Sequence, residues 1–135
     1  MIRLAGAACA GAWAALRAPF WLEGPRLAAL LRPPADARGE ARAPRGAVGA
    51  AVRTVGLLAR LPRSPWRDTC LYRSAAECLV LRRYGVPALV RIGVRNDVEG
   101  GAGGEILAHA WVVRAGEPDA PGASPGGHVP LVVRA

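Results

Sequence analysis

The sequence predicts an α+β fold, with helices first and an antiparallel sheet last. Three observations lead there. Apolar residues recur at helical spacing before residue 62 and again between residues 68 and 84. From Ala88 to Arg95 apolar residues fill every second position, and Pro or Gly stands at the boundaries between patterns. The 135 residues (14.0 kDa) suffice for one small domain with a helical appendage, not for two full domains. Hydrophobic residues make up 52% and charged residues 21%, which excludes a wholly disordered chain. The 17 glycines and 12 prolines exclude one continuous helical bundle.

Residues 3–18 are Ala-rich and free of Pro, so they favour a helix, which Pro19 is expected to end. Within it, residues 4–16 form 13 uncharged positions, too few for the roughly 20 that a membrane-spanning helix needs. After Met1-Ile2-Arg3 this stretch looks like the apolar part of a signal peptide. Arg17, Pro19, Phe20 and Trp21 follow without a convincing cleavage site, so a retained helix is the prediction. Gly24-Pro25 opens a second short helix, with Pro in its first turn, and Pro33-Pro34 stop it after Arg32. Residues 33–46 contain no aromatic or β-branched side chain and read as an exposed linker. Val48, Ala51, Val52, Val55, Leu58 and Ala59 then form an apolar stripe, predicting a core-facing helix that ends before Pro62.

The next helix carries signals at both ends. Asp68 or Thr69 can cap its start, and Gly85 followed by Pro87 can close its end through a left-handed turn. Leu71, Ala75, Leu79 and Arg82 fall along one side, with Cys70 in the first turn. Ala88, Val90, Ile92 and Val94 then share one face of a strand; Leu89, Arg91, Gly93 and Arg95 share the other. Residues 96–104 read as a turn and 106–114 as a returning strand with His109 in its middle. Residues 128–134, after a Pro/Gly-rich loop, read as the last strand.

The formal charge is +8, and all 18 basic residues are Arg. They are spread without a dense run, and no zinc-finger, RRM-like or helix-turn-helix signature accompanies them. A compositional bias explains them better than nucleic acid, with an acidic peptide or protein partner second. Cys9, Cys70 and Cys78 are too few and scattered for a disulfide framework and lack CxxC spacing. The prediction is a cytoplasmic chain with free thiols and no cofactor.

A cysteine at a helix start and a histidine on a later strand are the parts of a thiol nucleophile and its base. Unpaired N–H groups at a helix start favour a thiolate, and a nearby imidazolium favours it further. A more acidic thiol is also a poorer nucleophile, so the imidazole has a larger use in protonating the departing amine. The backbone N–H of Cys70 could help hold the oxyanion. By spacing alone, an inert helix-start thiol and a core histidine explain the same residues.

The wording is more specific than the spacing. WRDTCLYRSAAECLVLRRYGVPALVRIGV followed by GGEILAHAWVVRAGEP resembles the transglutaminase-like proteins of lasso-peptide biosynthesis. The likeness lies in Cys70-Leu71 opening a helix, a Gly-x-Pro-Ala turn before an Ile-Gly-Val strand, and His109 within Ala-His-Ala-Trp-Val. It covers residues 66–118, with HVPLVV at the end matching more loosely. The resemblance implies a transglutaminase/papain-like cysteine protease core over residues 63–135, preceded by a helical region over residues 1–62. It implies removal of the leader from a ribosomally made precursor peptide, with Cys70 as nucleophile and His109 as general acid/base. A separate leader-binding protein would recognise the precursor, and an ATP-dependent cyclase would act afterwards. For the Asp that orients the histidine, Asp119 is the nearest match and Glu117 the second; Ala115-Gly116 stand where an acidic residue and Gly are common. The alternative is a catalytically silent module of the same fold that holds the precursor for a partner. Trp111 is read as a wall of the site or as core, and Trp66 as a packing residue at the helix entry. Cys78 and Glu77 are read as structural or exposed, and His128 as a surface residue.

Overall fold

The computed structural model describes residues 2–34, 45–61, 69–97, 105–114 and 127–131. Four helices precede three strands: α1 (Ile2–Trp21), α2 (Pro25–Leu31), α3 (Arg45–Ala59), α4 (Cys70–Arg83), β1 (Ala88–Asp97), β2 (Glu105–Arg114) and β3 (Val129–Pro130). The sheet is antiparallel in the order β2-β1-β3, as the α+β prediction requires.

α1 does not stop at Pro19; it continues to Trp21. Pro19 has no N–H to donate to the carbonyl of Ala15 four residues back. The Tyr72 hydroxyl, arriving from α4, donates to that carbonyl instead, at 3.0 Å in a buried setting. The ladder resumes at once, with Leu22 N–H on the Ala18 carbonyl at 3.1 Å. Ala7, Ala10, Ala14, Ala15 and Ala18 are buried, so α1 is a core helix. Their small side chains let α3 come close: a methyl group at Gly11 would overlap the Ala51 backbone. Among the described residues no helix is long and apolar enough to cross a membrane.

α3 turns Ala51, Val55 and Ala59 inward with Val48 and Leu58 beside them, as the stripe predicts. α4 lies in the middle. Sequence spacing points to one inward side, but Tyr72, Ala75, Ala76, Leu79, Val80 and Leu81 are all buried, because α1, α3 and the sheet pack around it. Thr69 is its cap, its hydroxyl accepting from Tyr72 N–H at 3.2 Å; Asp68 lies outside the described residues. At the other end Gly85 has φ 74°, with Gly85 N–H on the Arg82 carbonyl (3.0 Å) and Val86 N–H on that of Leu81 (2.9 Å). This paired closure turns the chain into β1.

Arg82 can face inward because each of its three guanidinium nitrogens donates to a carbonyl. Nε donates to Ala88 at 2.8 Å, Nη1 to Ala29 at 3.0 Å and Nη2 to Arg32 at 2.8 Å. One planar fork thereby serves the unpaired end of α2 and the start of β1.

β1 and β2 pair from Ala88↔Arg114 to Asp97↔Glu105, so β1 runs two residues into the expected turn and β2 starts one residue earlier than expected. Residues 98–104 of that turn lie outside the described residues. Ala88, Val90 and Ala110 are buried against α4, with Ile92 and Val112 alongside. The last strand is shorter than expected among the described residues: Val129 and Pro130 pair with Val94 and Gly93, and Leu131 N–H reaches the Ile92 carbonyl at 2.8 Å. His128 precedes the pairing, and Pro130 has no N–H to extend a ladder.

Candidate active site

Cys70, Ser74, Cys78 and Arg82 follow one another at four-residue steps, so they form a column along α4. The lower three grip the sheet. Ser74 Oγ donates to the Ala110 carbonyl at 2.9 Å, and Cys78 Sγ and Arg82 Nε reach that of Ala88 at 3.4 and 2.8 Å. Cys70 tops the column, half-buried, one turn beyond Ser74 at the capped helix start. The Ser74 bond thus fixes this end of α4 beside the strand segment carrying His109.

The three thiols are free and differ in setting. Cys9 is exposed. Cys78 is fully buried, and burial pushes its thiol up to about 11 against the pull of Arg82. Cys78 is therefore structural, one of the two readings its sequence position allowed. Glu77 is half-buried, lining a cavity of about 280 Å³ between α3 and α4 with Val52, Val55, Gly56, Arg60 and Arg73. Burial raises its carboxyl above the usual range, and Arg114 opposes the rise.

His109 stands opposite Gly93, and strand alternation sends it to the face away from Ala110 and α4. There it stacks on Trp111, ring centroids 6.3 Å apart and planes at 16°. Trp111 therefore walls His109, half-buried itself. Gly93 makes the arrangement possible. A methyl group there would lie 2.7 Å from the Trp111 ring and 2.8 Å from the Val129 carbonyl, inside van der Waals contact.

His128, expected at the surface, is half-buried with its ring centroid 5.3 Å from that of His109. Local sequence could not reveal this, because β3 brings His128 back only after the long loop that follows β2. Asp119, Glu117 and Trp66 lie outside the described residues. Among the described residues no three His, Cys, Asp or Glu side chains gather as a metal ion would need.

A helix-start cysteine tied to a histidine-bearing antiparallel strand narrows the choice of family, and a comparison decides it. The family model of the transglutaminase-like superfamily matches residues 12–128. The chain belongs to the transglutaminase-like superfamily. The match begins within α1 and ends at His128, so it takes in the second half of α1, the other three helices and both long strands. The transglutaminase-like superfamily includes cysteine peptidases and transglutaminases, and its fold commonly carries cysteine protease activity. No curated protein and no solved structure matched the chain.

Proposed function

We propose that this transglutaminase-like protein is a cysteine peptidase that removes the leader from a ribosomally made lasso-peptide precursor. The observation that carries the reading is the Ser74–Ala110 bond, which holds the Cys70 end of α4 against the His109 segment of β2. Cys70 and His109 come from opposite sides of β2, so the pair would meet across its outer edge. In the proposed reaction the Cys70 thiolate adds to the scissile carbonyl and protonated His109 gives its proton to the departing amine, leaving a thioester. Neutral His109 then takes a proton from water as that water attacks the thioester, which frees the carboxylate and restores the thiol. The Cys70 backbone N–H is the proposed donor to the oxyanion. Asp119 is the proposed orienting carboxylate, with Glu117 second.

Recognition of the leader is assigned to a separate binding protein, which raises the effective concentration of the scissile bond at Cys70. An ATP-dependent cyclase uses the freed peptide, in a cytoplasmic setting. The test is labelling of the three free thiols by iodoacetamide, with the sites read by mass spectrometry. Cys70 should react ahead of exposed Cys9, and His109→Ala should remove that advantage. Slow labelling of Cys70, unchanged by His109→Ala, would favour the silent peptide-binding module.

A further inference from the structure

The outer edge of β2 has a geometry that bears on substrate. The Ile92 carbonyl points toward β3, where it accepts from Leu131 N–H. In an antiparallel ladder a residue's N–H and C=O point the same way, so Ile92 and its partner Ala110 turn their polar groups away from each other. The Ala110 carbonyl accordingly meets Ser74 on the outside of the sheet. By the same alternation Ala108 and Ile106 direct their N–H and C=O groups outward, and among the described residues β2 is the edge strand.

The side chains add a second feature. Among the described side chains, the face that carries Ala110 also carries Val94, Ile106, Ala108 and Val129, with Leu131 beside Ile92. Ile106 is 72% exposed, Val129 66% and Leu131 51%, so an apolar shelf crosses all three strands. Cys70 lies one helical turn beyond Ser74, which is tied to Ala110 on the same face. Edge and shelf together match the two needs of an extended peptide, main-chain partners along one side and sites for alternate side chains.

We propose that the β2 edge at Ile106 and Ala108 receives the substrate as an added strand whose alternate aliphatic side chains pack beside exposed Ile106, at the β2 margin of the shelf, leading its scissile bond to Cys70. The inference rests on the peptidase reading for calling that peptide the substrate. A peptide suits the site better than a second copy of the chain, because Ser74 already occupies Ala110 and leaves only a short stretch of edge.

The test uses Cys70→Ala protein and the labelled peptide acetyl-Glu-Val-Thr-Val-Glu-amide. Binding should move the Ile106 and Ala108 amide resonances. N-methylation of both valines should change affinity differently from N-methylation of the threonine and last glutamate, since only one alternate set faces the edge. The facing set should cost about tenfold, as lost backbone hydrogen bonds do, and the other set less than about twofold. Ile106→Lys, at an exposed position, should weaken binding as well. Equal effects of both sets, no shift at about 1 mM peptide, or self-association through these amides would overturn the proposal. The thiol-labelling experiment separates the two readings. A reactive Cys70 without edge binding defeats this inference alone; edge binding with an unreactive Cys70 defeats the peptidase reading alone.

Discussion

Cys70 and Cys78 stand on one helix and face different chemistry. Cys70 lies at the capped start, while Cys78 is sealed between α4 and the first residue of β1. Burial holds the Cys78 thiol at about 11, above the 9.0 of an unperturbed one, so the folded chain keeps a proton that the unfolded chain releases. Stability from this group is therefore complete below pH 9 and falls as pH rises toward about 11, by about 2–3 kcal/mol in all. Urea unfolding at pH 8, 10 and 11 should show the wild-type chain losing more stability over that range than Cys78→Ala; parallel losses would refute it. The position of Cys70 was legible in sequence because capping is local. The closeness of His128 to His109 was not, because the return of β3 is set by packing at Gly93.

α1 crosses Pro19 only because α4 supplies a hydroxyl, and this makes a reciprocal test possible. Tyr72→Phe should leave the Ala15 carbonyl buried and unpaired, at a cost of about 1–3 kcal/mol in denaturant unfolding. Adding Pro19→Ala restores an N–H within the helix, so the double variant should recover most of that loss. Simple additivity would contradict the account. In the sheet, Gly93→Ala should push the Trp111 ring and β3 apart, and the near-ultraviolet circular dichroism of the Trp side chains should change. An unaltered spectrum would show that the contact is not tight. The turn signals, the α3 stripe and the β1 alternation were readable from local chemistry. The length of α1 and the near-complete burial of α4 were not, since both depend on residues distant in sequence.

At the scale of the molecule, one cluster of buried residues joins α1, α2, α3, α4 and the first half of the sheet. The Cys70 helix therefore depends on the helices before it. Removing residues 1–22 would expose Tyr72 and the inner side of α3, and the truncated chain should lose its cooperative thermal transition by circular dichroism. A sharp melt like that of the full chain would show that residues 23–135 fold alone. The central claim is that this transglutaminase-like chain releases a leader peptide by way of the Cys70 thiol. Its most direct test is cleavage of a lasso-peptide precursor, with a leader-binding protein added, by wild-type and Cys70→Ala proteins of equal thermal stability. The account predicts release of the leader by the wild type, with a thioester to Cys70 seen by mass spectrometry, and loss of release on Cys70→Ala. Leader release by folded Cys70→Ala protein would contradict it.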